Sequence, residues 1–215
     1  MLRVWGRRNS ANVQKVLWLV GELGLAHDQI SVGGPFGGLN EPAFRAINPH
    51  GRIPVLQDGP VTVWESHAIL RYLAARHGAD RFWSGDPAVR AFADQWMDWA
   101  QTRFQVDFLD GVFWGFYRTP ESQRDWPQLR KAMARCADHA ILMDNFLKNR
   151  VFLGGEQLSL ADIAFGSLLY RYFNLDIDHP SVPGLGAYYE RLCARPTYRE
   201  HVMVPFDELK GRLSF

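Results

Sequence analysis

Asn48-Pro49-His50-Gly51-Arg52-Ile53-Pro54-Val55-Leu56 packs a turn, a proline and the start of an apolar strand into one short stretch. Proline is found in a strand at an edge, or where the peptide bond before it is cis. Pro54, between a Gly-containing turn and two apolar residues, fits either a cis Ile53-Pro54 bond or an ordinary trans proline at the strand entrance. Downstream, Asp58-Gly59-Pro60 reads as a turn into a second strand, Val61-Thr62-Val63. From there Trp64-Glu65-Ser66-His67-Ala68-Ile69 leads into a helix with Ala68, Ile69, Tyr72 and Leu73 on its apolar face. Upstream, Leu2 and Val4 alternate with polar neighbours. After the break Gly6-Arg7-Arg8-Asn9-Ser10, residues Val13, Val16, Leu17 and Val20 recur at helical spacing up to Gly24. A short alternating segment at Ile30 and Val32, a loop through Gly33, Gly34, Gly37 and Gly38, and a short helix near Pro42 to Ala46 complete the order βαβαββα, an α/β domain.

The rest of the chain reads as helix after helix. A polar connection with Gly78, Gly85 and Pro87 follows Arg76, which divides the chain into an α/β domain over 1–78, a linker over 79–87 and an all-α domain over 88–215. Phe92 and Ala93, Trp96 and Met97, Trp99 and Ala100, and Arg103 and Phe104 form adjacent pairs every three to four residues, the mark of one long helix with a wide apolar face. Further helices are expected from about Trp126 to Asn149, from Ser159, and from about Leu185 to Ala194. Leu158-Ser159-Leu160-Ala161-Asp162-Ile163 carries a reciprocal capping box between Ser159 and Asp162, flanked by an apolar staple, so Asp162 reads as structural.

Composition narrows the classes of function. Nearly half of the 215 residues are apolar (47%), and the formal charge of +1 is spread along the chain, which supports a large core and argues against a nucleic-acid partner. Cys136 and Cys193 stand far apart, without the closely spaced Cys/His pairs of a metal site; we expect no metal and a reducing compartment. No apolar stretch suits a secretory signal or a membrane span, so the expected location is the cytoplasm, off the membrane.

Three segments of the first domain stand out together: Asn9-Ser10-Ala11-Asn12-Val13-Gln14-Lys15-Val16, the stretch from Asn48 to Leu56, and Trp64 to Ile69. With the Ser-Leu-Ala-Asp box they resemble, in the expected order and over essentially the whole chain, the cytosolic glutathione transferases of serine type, theta-like or related bacterial members. The resemblance implies a thioredoxin-like N-terminal domain, an all-α helical-bundle C-terminal domain, glutathione as co-substrate, a hydrophobic electrophile as second substrate, and a homodimer. It also implies that Pro54 is cis and that Ile53 pairs through its main chain with the cysteinyl unit of the tripeptide.

Each segment has a chemical reason to meet glutathione. A helix start offers free N–H groups and a favourable dipole, so Ser66 suits the γ-glutamyl carboxylate, with Glu65 beside it for the amine; the competing reading is that Ser66 only caps its helix. His50 and Arg52 could meet the glycyl carboxylate, or could simply be solvated. A thiol with a pKa of about 8.5 is mostly protonated at neutral pH, and one hydroxyl donor to its anion contributes roughly 1.5 to 3 kcal/mol, the size of effect an enzyme needs. The resemblance puts that donor at Ser10, with Asn12 sharing or taking over the role; a helix cap at Ser10 and a loop residue at Asn12 are the alternatives. The reactive loop has no Tyr and no Cys, which counts against thiol-disulfide exchange, and Trp5 reads as core. In the family the electrophile lies between the reactive loop and the long helix, which makes Phe104, Phe108, Phe113, Trp114 and Tyr117 the candidate apolar wall, packing being the alternative. Conjugation is the leading activity. Reduction of organic peroxides at the same site, and a non-catalytic glutathione-binding or protein-interaction module, are the other two readings.

Overall fold

Leu2 and Val4 turn the first strand into a buried sheet, and the order of elements around it follows the sequence pattern closely. In a computed structural model, residues 1–214 are described; Phe215, the last residue of the expected helical domain, lies outside them. They form two compact units, residues 1–85 with 196–204, and residues 86–195 with 205–214.

In the first unit, among the described residues, four strands form one sheet: β1 (Leu2–Trp5), β2 (His27–Ile30), β3 (Val55–Asp58) and β4 (Val61–Trp64), in the spatial order β2-β1-β3-β4. β1 runs parallel to β2, as a strand-helix-strand crossover requires, and antiparallel to β3, which pairs antiparallel with β4. Helices α1 (Ala11–Glu22), α2 (Pro42–Ile47), α3 (Ser66–His77) and the short α4 (Ala79–Phe82) join and follow them; α4 occupies part of the stretch read above as linker. α1 is buried nearly all round, because it is covered on more than one side.

One of those covers was missed in the sequence. Residues 196–204 belong with the first unit, where the helix Pro196–His201 lies against α1. Tyr198 meets Trp18 edge-on at 4.8 Å, Thr197 bonds to Glu22, and Gln14 donates to the Val202 carbonyl at 3.4 Å. At Gly21 a β-carbon would stand 2.9 Å from the His201 ring, so the absence of a side chain permits this approach.

The second unit is helical. α5 (Pro87–Trp99) starts at a cap where Asp86 accepts the Ala88 N–H. From Ala100 the structure departs from the single α-helix expected, since Ala100–Phe104 and Val106–Arg118 wind as π-helix, closed by Thr119 N–H to Trp114 C=O at 3.0 Å. The buried residues there, Ala100, Phe104, Phe108 and Leu109, Val112 and Phe113, recur every four to five positions, wider than the 3.6 of an α-helix. α6 (Trp126–Leu147), α7 (Leu160–Phe173) and α8 (Pro183–Cys193) complete the bundle, with α7 at its centre and buried almost throughout. The capping box of Ser159 and Asp162 is closed. Asp162 accepts from Leu153 N (2.7 Å), Ser159 N (2.8 Å), Ser159 Oγ (2.7 Å) and Tyr188 Oη (2.9 Å); burial pushes its carboxyl up while these bonds pull it down. Among the described residues no helix is long and apolar enough to cross a membrane.

Candidate functional site

Three strand ends lie side by side at one edge of the sheet. The register sets Trp5 opposite Val55 and Val55 opposite Trp64. The loop leaving β1, the bend entering β3 and the Glu65-Ser66 pair leaving β4 are therefore gathered at the same end, although up to about sixty residues separate them in sequence. Gly6 tightens the cluster. Its φ of +144° and a β-carbon position only 2.4 Å from Val13 Cγ2 and 3.2 Å from Ile53 Cβ leave room for hydrogen alone, so the reactive loop passes directly against the bend.

Ser10 occupies the N-cap position of α1 with extended backbone, and its hydroxyl makes no capping bond. Two residues on, Asn12 has a buried Oδ1 without a hydrogen-bond partner. An unpaired buried amide oxygen costs about 1 to 3 kcal/mol, and an amide can present either its oxygen or its NH2 by turning about its last bond. Such a group is suited to a ligand that brings its own donor or acceptor.

The Ile53-Pro54 bond is cis, which decides the alternative the sequence left open. β3 starts one residue after Pro54, so Ile53 stands outside the β1–β3 register. The bend itself is held by a residue not singled out above: buried Asn48 donates to the Arg52 carbonyl at 2.8 Å and accepts the His50 N–H at 3.0 Å. His50 and Arg52 are exposed on this bend, the His50 ring 4.9 Å from that of Trp64. Trp5 is half-buried rather than core, with its indole N–H on Gln57 Oε1 at 2.9 Å.

Glu65 precedes α3 with φ +70° and ψ +118°, a backbone region that costs a non-glycine residue of the order of 1 to 3 kcal/mol. Its side chain is exposed and does not cap the helix, whereas Ser66, the first residue of α3, is buried. The strained residue thus delivers the helix start, with its N–H groups and positive dipole end, to the sheet edge. Behind it, the Lys15 ammonium lies 3.2 Å from His67 Nε2, both groups buried. Burial first, then Lys15 and Arg71, holds the His67 imidazole down at about 2, so it is neutral. The sequence reading missed this pair, because nothing local marks a lysine of α1 as buried.

In the second unit Phe104, Phe108 and Phe113 are core residues, 0 to 1% exposed, packed on Phe165, Tyr172 and Phe206. Their packing alternative describes them. Trp114 lies under the Arg118 guanidinium at 3.8 Å, and Tyr117 stacks on Phe113 at 5.3 Å. Tyr117, Phe116, Tyr170 and Phe206 form the aromatic side of a cavity of about 520 Å³, whose polar side includes Arg124 and Lys210. Among the described residues no group of three or more His, Cys, Asp or Glu gathers as a metal site, and burial pushes the Cys136 thiol up to about 12, which makes it unreactive.

Comparison with known proteins bears on this arrangement. Residues 5–81 match the sequence model of the glutathione S-transferase N-terminal domain, and residues 106–196 that of the C-terminal domain. The chain is 38% identical over 207 residues to glutathione S-transferase GstB of Escherichia coli K12, covering 95% of this chain and 99% of that protein. Human glutathione S-transferase theta-1 is 34% identical over 129 residues, 56% of this chain and 52% of that protein. The crystal structure of the theta class glutathione S-transferase of Xanthomonas axonopodis pv. citri, with glutathione bound, superimposes with a TM-score of 0.89 at 43% identity, covering 95% of this chain and 98% of that one. With both domains matched in order and the sheet edge built as described, the chain belongs to the glutathione S-transferase family.

Proposed function

We propose that the chain binds glutathione at this sheet edge and conjugates its thiolate to a hydrophobic electrophile. The observation that carries the reading is the register that aligns Ser10's loop, the cis-Pro54 bend and the start of α3 at one end of the sheet. Ser66 and the first turn of α3 hold the γ-glutamyl carboxylate, and Glu65 takes the amine. Ile53 pairs with the cysteinyl main chain, while His50 and Arg52 meet the glycyl carboxylate. The Ser10 hydroxyl donates to the thiolate, assisted by the α1 dipole and by the Asn12 amide turned to present its NH2. The sulfur lone pair attacks the electrophilic carbon, and the leaving group departs, or a proton is taken up in an addition. Of the aromatic candidates for the electrophile, Trp114 and Tyr117 are the ones not buried in the core. A cytoplasmic homodimer is the form in which we place the enzyme.

Calorimetric titration with glutathione, paired with conjugation of an aryl halide, tests this. The wild type binds and turns over. Ser66→Ala loses about tenfold in affinity, the worth of one hydrogen bond to a charged group, with a smaller change in the saturated rate. Turnover of an organic hydroperoxide but not of the halide would reassign the site to peroxide reduction, and binding without either would leave a binding module.

A further inference from the structure

The buried Lys15–His67 pair has no part in the site as drawn so far. An ammonium carries only donors, so His67 Nε2 accepts from Lys15 and the ring proton sits on Nδ1. That Nδ1 is itself buried without a hydrogen-bond partner, on a side chain only 2% exposed. A neutral, tautomer-locked imidazole with an unused donor and a wholly buried cation are costly features to hold inside a small α/β unit.

Their placement suggests the purpose. Lys15 follows Ser10 by five positions, about 7.5 Å along an α-helix, and helical side chains lean back toward the N-terminus. His67 is the second residue of α3, directly after Ser66. The contact between them therefore sets the ammonium behind the opening turns of both helices that face the sheet edge. On the elements packed against α1, the other charged or titratable groups are Arg71, Arg76 and His77 on α3 with Glu65 just before it, Arg7 and Arg8 in the loop, exposed Arg3 on β1, and Arg199, Glu200 and His201 on the helix Pro196–His201. Glu22 and Arg81 pair with each other at the opposite end of α1.

We infer that Lys15 is a positioning residue of the glutathione site, its ammonium held on His67 as a fixed positive charge that favours the thiolate beside Ser10 and the ligand carboxylate at Ser66. This rests on the glutathione reading given above. At an assumed separation of roughly 8 Å and an effective dielectric constant of roughly 20, a unit charge moves a thiol by about 1.5 pK units, so a shift near one unit is expected once solvent screening is allowed for.

The test is the pKa of enzyme-bound glutathione, read from the ultraviolet absorbance of the thiolate, in wild type, Lys15→Met and Lys15→Arg, with thermal melts alongside. Lys15→Met raises the bound thiol's pKa by about one unit, a roughly tenfold loss of thiolate below it, and Lys15→Arg stays within a few tenths of wild type. A purely structural role would lower the melting temperature or the affinity and leave the thiol where it was. A folded Lys15→Met that binds glutathione with an unshifted thiol overturns the inference. Should Lys15→Met not fold, Lys15→Gln against Lys15→Arg makes the same comparison of neutral with charged. A wild type that does not bind glutathione at all refutes the reading of the site instead, and this inference falls with it.

Discussion

Ser10→Ala is the change that should separate catalysis from folding. Because the hydroxyl makes no capping bond, its removal deletes no cap of α1, and the free energy of unfolding should change by no more than a few tenths of a kcal/mol. Its effect should fall on the thiolate. If the enzyme lowers a thiol of about 8.5 by two units and Ser10 supplies roughly 2 kcal/mol of that, its loss returns the thiol to about 8. At pH 6.5 the thiolate fraction then drops from about one half to about 3%, a rate loss of roughly 15-fold, whereas at pH 9 both forms are almost fully ionised and the rates converge. The assay is the pH profile of kcat/KM for an aryl halide, wild type against variant, from pH 6 to 9. A rate loss that is constant across that range would mean that Ser10 orients the sulfur rather than stabilising its charge, and an unchanged rate at low pH would remove it from the reaction.

Two further outcomes concern the scaffold. Asp162→Ala strands two N–H groups and two hydroxyls in the core of the second unit; a loss of about 3 to 5 kcal/mol is expected by thermal or urea unfolding, and a loss of a few tenths would show that water replaces the carboxylate freely. Asp58 and Asp107 are both pulled toward the acid side: burial works to raise them, but bonds from His77 and Tyr72, and from Arg135 and His139, with the nearby arginine charges, outweigh it. Their stabilisation is complete above the unfolded carboxylate value of about 3.9 and is lost as pH falls through the lower folded values, so stability should slope downward below pH 4, and Asp107→Asn should flatten that slope. An identical slope in the variant would show that Asp107 titrates no differently when folded.

The pattern of the first unit was legible because it is local. Alternation at Leu2 and Val4, the spacing of Val13, Val16, Leu17 and Val20, and the turn at Asp58-Gly59-Pro60 are each settled within a few residues, and the Ser159–Asp162 box is settled within one helical turn. The helix Pro196–His201 was not legible as part of the first unit, since its partners Trp18 and Glu22 lie some 175 residues away. Nor was the π-helical course after Ala100. Apolar pairs there read as a broad α-helical face, and the difference shows in which residues the fold buries and in the hydrogen-bond pattern.

The same division runs through the site. Ser10, Ile53-Pro54 and Glu65-Ser66 were visible as segments, because a hydroxyl at a helix start or a proline before an apolar run is written in adjacent residues. The isomer of Pro54, the strained backbone of Glu65, the burial of Lys15 against His67 and the disappearance of Phe104, Phe108 and Phe113 into the core were decided by the folded molecule. The reason is physical. Periodicity and capping are short-range consequences of backbone geometry, whereas desolvation and partner choice depend on which distant surfaces close over a side chain, and a one-dimensional pattern does not specify those.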